Sequence, residues 1–250
     1  MNSTFTLVFL FISFNLFCQD MNPFDEVHNV KAITENDLLS KDDSLKALEI
    51  NFHGKYFENA IVSIRNNTQL KGIKLYNPTQ EFIINLSYEH LDSLSHLIIE
   101  KFEGDSLLVP SFSKLNFFEI NSDSLVYLNL SNANLIKLTT LNIDTDILVD
   151  LKTDTEYPYL DILNLHTPRL KFFLFENTPN LNYLSLKCSL NRFPTNLCNN
   201  DNLIGILIWN YGPIKIDNCL KKKIKVGFES SLIVYKDFNE TILEEIYSKQ

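Results

Sequence analysis

The feature that most constrains this chain is an apolar triplet of the form L-x-x-L-x-L, which returns at nearly constant intervals. Eight copies begin 21 to 25 residues apart, at Leu45, Leu70, Leu94, Leu115, Leu138, Leu160, Leu181 and Leu203. The other two positions are also apolar in every copy, being Leu48 and Ile50, Ile73 and Leu75, Leu97 and Ile99, Phe118 and Ile120, Leu141 and Ile143, Leu163 and Leu165, Leu184 and Leu186, and Ile206 and Ile208. Because only 45% of the residues are hydrophobic, eight complete triplets indicate a structural period rather than a coincidence.

The last two apolar residues of each triplet are two positions apart, which places them on one face of a strand. One triplet cannot bury its own apolar residues, but triplets stacked about 4.8 Å apart form a continuous core. The pattern therefore predicts a mostly β or α/β solenoid with a parallel inner sheet and about eight rungs of ~22 residues.

Two further triplets lie midway between the main ones, "LVYLNL" from Leu125 and "LKFFLF" from Leu170. They predict that some rungs also have a strand on the far side, and that the others have short irregular or 3₁₀ arcs. No amphipathic segment of helix length stands out between the triplets, so helices are expected only at the ends of the solenoid.

Two segments, "VPSFSKLNFFEIN" from Val109 and "FPTNLCNNDNLIGILIWN" from Phe193, resemble the leucine-rich repeat family, in which a P-x-x-(x)-L outer arc precedes the inner strand. The resemblance covers Leu45 to Trp209, about two thirds of the chain. The buried asparagine of that family, three residues past the third apolar position, is replaced here by Phe102, Asp123, Asp146, Pro168, Ser189 and Tyr211. Other groups must therefore satisfy the backbone of the turns.

The two ends of the chain differ in composition from the repeats. Residues 1–18 contain an apolar run, Phe5 to Phe17, that is shorter than the roughly 20 residues needed to span a bilayer. This segment predicts an export signal that is removed near Cys18, with lipid attachment at Cys18 as the alternative. The chain is therefore expected to be exported to the periplasm, the cell envelope or the extracellular space, without membrane insertion after removal of the signal.

Residues 19–44 are predicted to form an N-terminal cap, residues 45–228 the solenoid and residues 229–250 a C-terminal cap helix. The first cap is expected to be a helix or a pair of turns over Phe24 to Ser40, because "FDEVHNVKAITENDLL" is similar to the helical lead-in of bacterial leucine-rich repeat proteins. The second cap has Asn239 as a candidate N-cap residue. Caps are needed because an open solenoid end exposes apolar residues and strand edges.

Charge and residue usage exclude several kinds of function. With 31 acidic against 22 basic residues and a net charge of −9, the chain lacks the cationic surface that nucleic acid requires. After removal of the signal three cysteines remain, of which Cys188 is expected to be buried; Cys198 and Cys219 either are buried as well or form a disulfide. No C-x-x-C pair occurs and the histidines do not cluster, so neither a metal nor another cofactor is expected.

The enzymatic alternative is a parallel β-helix that cleaves polysaccharides, whose coil has a similar period. Such an enzyme needs a charged cleft, whereas only Arg65, Arg169 and Arg192 supply arginine to the chain beyond the signal. No P-loop, G-x-S-x-G elbow or H-E-x-x-H motif is present. The sequence therefore favours a protein that is not an enzyme.

The residues between the apolar positions are predicted to point away from the core and to align in three columns, which together we call the inner face. The first column is His96, Phe117, Thr140, Ile162, Tyr183 and Gly205. The second column is Ile98, Glu119, Asn142, Asn164, Ser185 and Leu207. The third column is Glu100, Asn121, Asp144, His166, Lys187 and Trp209.

Aromatic side chains surrounded by amides and acids are typical of protein-binding surfaces. The candidate anchors are Phe117, Tyr183 and Trp209. The candidate polar contacts are Glu119, Asn142, Asn164, Asp144 and His166. The sequence therefore predicts an exported, non-catalytic module that binds a protein or peptide. Glycan binding and a structural or self-associating role in the cell envelope are the alternatives, and the oligomeric state is left open.

Overall fold

The computed structural model describes residues 24, 30–53, 57–86, 91–153, 156–171, 178–188, 200, 202, 203, 205–210 and 233–236, the last two ranges as backbone. Among these residues, ten parallel strands form one sheet in the order β1-β2-β3-β4-β6-β8-β10-β11-β12-β13. Their bounds are β1 Val30–Thr34, β2 Ala47–Asn51, β3 Gly72–Tyr76, β4 His96–Glu100, β6 Phe117–Asn121, β8 Thr140–Asp144, β10 Ile162–Thr167, β11 Tyr183–Cys188, β12 Gly205–Asn210 and β13 Ile233–Lys236.

A second, smaller sheet consists of three parallel strands, β5 (Ser106–Leu108), β7 (Tyr127–Asn129) and β9 (Asp150–Lys152). Two short helices, α1 (Glu58–Asn66) and α2 (Gln80–Leu86), follow β2 and β3. The described part of the chain is therefore mostly parallel β structure with little helix. No helix in this part is long and apolar enough to cross a membrane.

Each of the eight predicted triplets forms a strand of the large sheet, and each of these strands begins two residues after the first leucine of its triplet. Every apolar position of the first seven triplets is at most 5% exposed. The strands pair without slippage: Leu141, for example, lies between Phe118 on one side and Leu163 on the other. Equivalent apolar residues therefore stack from strand to strand and form one core.

The second sheet lies at the midway positions. Of the two midway triplets in the sequence, the one at Leu125 forms β7, and Leu125, Leu128 and Leu130 are buried. Most of the copy after Leu170 lies outside the described residues. Strands β5 and β9 were not predicted because Gly104 and Thr153 replace one apolar residue in each.

The two helices contradict the expectation that helices occur only at the ends. Helix α1 buries Ala60, Ile61 and Ile64, and α2 buries Phe82, Ile83 and Leu86, both sets at helical spacing. The Phe82 ring lies 4.6 Å from that of Phe52 and 5.5 Å from that of Phe57, measured between centroids. Each helix is only two turns long, so its apolar face is too short to stand out as a periodic pattern.

The ends of the large sheet also differ from the prediction. Within Phe24 to Ser40, where a helix or a pair of turns was expected, Val30–Thr34 forms β1, which pairs with β2 so that Ile33 stacks on Ile50 and is buried. Burial of this β-branched side chain on the open edge of the core favours a strand over a helix. Within the predicted C-terminal cap helix, Ile233–Lys236 is likewise a strand. Residues 1–18 and 237–250 lie outside the described residues.

Hydroxyl groups occupy the turns from which the asparagine is missing. Ser122, Thr145 and Thr167 lie two residues past the third apolar position and are at most 1% exposed. The Ser122 hydroxyl donates to the carbonyl oxygen of Phe102 (2.6 Å) and accepts from the Leu125 amide (3.2 Å). The Thr145 hydroxyl does the same with the Leu125 oxygen and the Leu148 amide, both at 3.2 Å. The hydroxyls of Ser122 and Thr145 therefore connect successive turns.

Cys188 occupies the corresponding position at the end of β11 and is fully buried, as the sequence predicts. Cys198 and Cys219 lie outside the described residues.

We predict that Leu141→Ala lowers the free energy of unfolding by about 2–5 kcal/mol, because it leaves a cavity between two stacked strands. Ile136→Ala is the matched control, since Ile136 is 47% exposed. Its effect should stay within about 0.5 kcal/mol. Urea unfolding followed by circular dichroism measures both values, and equal losses would contradict the stacked core.

A second pair of variants tests the buried hydroxyls. Thr145→Val should cost about 1–3 kcal/mol of unfolding free energy, because the carbonyl of Leu125 and the amide of Leu148 lose a buried partner. The Thr167 hydroxyl has no hydrogen-bond partner among the described residues, so Thr167→Val should be neutral or stabilising. The same unfolding assay distinguishes the two, and an equal cost at both positions would refute the role of Thr145.

Candidate functional site

The strand register aligns the three columns of the inner face. In the first column, Phe117 pairs with His96 on one side and Thr140 on the other, followed by Ile162 and Tyr183. The second and third columns follow from the same pairings, because no strand slips. The in-register sheet therefore holds all of the predicted contact positions on one surface.

The exposure and polarity of the inner face increase along the strands, from the first column to the third. In the first column Thr140 and Ile162 are only 8% and 5% exposed, and the neighbouring Ile98 of the second column is 9% exposed. In the third column, by contrast, Asn121 and Asp144 are exposed. One side of the inner face is therefore apolar and closely packed, whereas the side where the strands end is polar and open.

Phe117 packs against an uncharged histidine. Its ring stacks on that of His96 with centroids 5.5 Å apart and an interplanar angle of 20°. The hydroxyl of Ser95 lies 2.8 Å from Nδ1 of His96. Burial lowers the pKa of His96, so the imidazole is neutral at neutral pH. The pair therefore adds apolar surface rather than positive charge.

A chain of side-chain hydrogen bonds crosses three strands in the second column. Nδ2 of Asn164 donates to Oδ1 of Asn142 at 2.7 Å, and Nδ2 of Asn142 donates to Oε2 of Glu119 at 3.0 Å. All three side chains are half-buried. Because both amides donate in the same direction, the chain ends on the carboxylate of Glu119. We call these three residues the amide ladder.

A histidine–carboxylate contact and a lysine–carboxylate ion pair lie beside the amide ladder. Nδ1 of His166 lies 2.9 Å from Oδ1 of Asp144. Nζ of Lys74 lies 2.7 Å from Oε1 of Glu100 and 4.9 Å above the centre of the Tyr76 ring. Burial acts to lower the pKa of Lys74, but the hydrogen bonds to Glu100 and Tyr76 outweigh it and raise that pKa. The ammonium group of Lys74 is therefore already paired with Glu100 and Tyr76 of the same chain.

The structure brings some of the predicted residues together and separates others. Glu119, Asn142 and Asn164 are connected directly, and Asp144 contacts His166. The candidate anchors form no single cluster: Phe117 and Tyr183 are three strands apart, about 14 Å at the usual strand spacing. The backbone of Trp209 lies in the third column beside Lys187, and its side chain is outside the described residues.

Lys74 and Tyr76 belong to the inner face although they were not among the candidate residues. They lie on β3, in register with Ile98 and Glu100. The alternation that gives the other columns applies equally to the triplet at Leu70, so extending the columns by one strand would have found both. Glu100 and His96 lie in the predicted columns. Their contacts with Lys74 and Phe117 could not be predicted from the sequence pattern.

Nothing in the described residues indicates a metal centre, since no group of three or more His, Cys, Asp or Glu side chains there could hold an ion. Comparison with models of protein families, with curated proteins and with solved structures finds no match. A function can therefore be inferred only from the arrangement of the side chains themselves.

The lowered pKa of His96 predicts a dependence of stability on pH. Between its ordinary pKa and its lowered pKa in the folded protein, His96 takes up a proton more readily when unfolded, so stability falls as the pH falls. His96→Gln should reduce this loss between pH 7.5 and 5.5, as measured by the urea midpoint. His53→Gln is the control, because His53 is exposed. The same pH dependence in all three proteins would contradict the assignment.

Proposed function

We propose that this protein is an exported, non-catalytic leucine-rich repeat module that binds another protein or a peptide through its inner face. The observation that carries the proposal is the alignment of aromatic, amide and acidic side chains in columns on parallel strands. Strands hold these groups at fixed distances, so little conformational entropy is lost when a partner binds.

The assignment to the leucine-rich repeat family and to a solenoid is part of the proposal. It is supported by eight triplets that each coincide with a parallel strand, and by a second set of short strands midway between them. The hydroxyls of Ser122 and Thr145 provide the connections between turns that asparagine makes in the family. Export is supported by the apolar segment before Cys18.

The change of the inner face from apolar in the first column to polar in the third favours a protein partner. Its apolar side offers a closely packed strip around Phe117 and Ile162, and its polar side offers the amide ladder. An apolar core bordered by polar groups is the usual composition of a protein interface. The largest contribution to affinity is expected near Phe117 and Tyr183, the aromatic residues of the first column.

The test uses substitutions that place a bulky charge on the inner face. Asn164→Arg and Ser185→Arg should each weaken binding of partners from the native envelope fraction by about tenfold or more, because they obstruct contact at the centre of an interface. Ser106→Arg is the matched control, since Ser106 is an exposed strand residue of the second sheet. Quantitative pull-down measures retention, after circular dichroism has shown that all the variants fold.

Equal retention by all the variants would refute binding through the inner face. Binding only to soluble polysaccharides, with loss on substitution of Tyr183, would favour the glycan alternative instead. Cleavage of such a polysaccharide by the purified protein would contradict the non-catalytic assignment.

A further inference from the structure

Near the centre of the inner face, the carboxylate of Glu119 makes no contact with a lysine, arginine or histidine nitrogen of any described residue. Glu100 contacts Lys74, and Asp144 contacts His166. Glu119 instead accepts a neutral amide hydrogen bond on Oε2 from Asn142. Its Oε1 accepts no hydrogen bond from any residue that the structure describes. This oxygen and the charge it carries are therefore available to a partner.

The amide ladder holds the Glu119 carboxylate in place. Asn142 donates to Glu119, and Asn164 fixes Asn142 in turn, so the carboxylate is positioned by two residues on two neighbouring strands. Both amides direct their NH₂ groups towards Glu119, which leaves acceptor oxygens at the two ends of the ladder. A carboxylate held in this way loses little side-chain entropy on binding. The second oxygen of the Glu119 carboxylate suits a ligand group that donates hydrogen bonds.

An aromatic ring extends from the same face of the same strand as this carboxylate. Phe117 is two residues before Glu119 on β6, so both side chains extend from the same face of the strand. Phe117 is held by its stacking on His96, which burial keeps neutral. A cation is attracted both to a carboxylate and to the face of an aromatic ring. Lysine and arginine side chains, with an apolar stem and a charged end, match this pair of groups.

The overall charge points to the same ligand. The second and third columns of β2 to β11 contain four carboxylates and two lysines, and Lys74 is already engaged. These charged residues are Glu49, Glu100, Glu119, Asp144, Lys74 and Lys187. The whole chain has a net charge of −9. Charge complementarity therefore favours a basic partner and disfavours phosphate-bearing ligands.

We propose that Glu119, positioned by Asn142 and Asn164, is the recognition site for a lysine or arginine side chain in a basic, extended segment of the partner protein. The segment lies across the strands, with its basic side chain on Glu119 and beside Phe117 and its apolar side chains over the first column. This inference rests on the proposed function and specifies the chemistry of its ligand.

The experiment selects peptides from a display library of short random sequences on the full-length protein. The wild type should enrich peptides with lysine or arginine at one position relative to an apolar residue. Glu119→Gln retains an acceptor for Asn142 but removes the charge, and it should abolish the preference at that position. Glu81→Gln, at an exposed glutamate of α2, is the matched control and should retain the preference.

The dominant enriched peptide then serves as the probe in a fluorescence anisotropy titration. Glu119→Gln should raise its Kd by about tenfold, whereas Glu81→Gln should leave the Kd unchanged. Replacing the basic residue of the peptide by norleucine should weaken binding to the wild type by a similar factor and have little further effect on Glu119→Gln. Such coupling between the two changes shows that the two groups interact.

Two outcomes would overturn the inference, and they differ in what they say about the proposed function. If the enriched peptides lack a basic residue, or if the two changes are additive, the basic site is wrong. The proposed function then survives, provided that Ser185→Arg still abolishes peptide binding. If the wild type enriches no peptide, or binds only phosphate-bearing or polysaccharide ligands, the inference and the proposed peptide-binding function both fail.

Discussion

The in-register stacking of equivalent residues is the constraint on which the rest of this structure depends. Each apolar position lies beside its counterpart in the next strand, so the core forms only if no strand slips. A slip of one residue would turn residues such as Glu119 and Asn142 into the core and expose the leucines. The same rule that buries the leucines therefore aligns the polar side chains on the opposite face. Core and inner face are two consequences of one register.

The side of the molecule opposite the inner face is less regular, because it changes from helices to a small sheet. A side chain covers the strand edge at which this change occurs. The first two connections after β2 and β3 are helical, and the small sheet begins only with β5. The amide of Gln80 closes this edge: its Nε2 donates to the oxygen of Leu108 at 3.0 Å, and its Oε1 accepts from the amide of Leu108 at 2.9 Å. A side chain thus takes the place of a neighbouring strand, which protects an edge that could otherwise pair with another chain.

The sequence predicted the strands that carry a complete apolar triplet and missed the elements that depart from this pattern. The triplet spacing located eight strands and three columns because, in every copy, successive side chains alternate between the core and the inner face. The helices α1 and α2 were missed because each spans only about two turns. Strand β1 was missed because it contains no leucine triplet. Ile33, which stacks on Ile50, is its one buried apolar residue. The direction of the amide ladder depends on side-chain rotamers, which a sequence pattern does not contain.

The position of Glu119 follows from what its neighbours in the second column are able to do. On the β8 side the amides of Asn142 and Asn164 continue the column and donate towards it. On the β4 side stands Ile98, which is buried and has no hydrogen-bonding group. The next residue beyond Ile98 is Lys74, whose ammonium group is drawn to Glu100 instead. The ladder must therefore end at Glu119, and its negative charge is left without a cationic partner among the described residues. A column of polar side chains continues its hydrogen bonds only while each successive residue can donate or accept. The first apolar residue in the second column, Ile98, therefore fixes where the carboxylate at the end of the ladder lies.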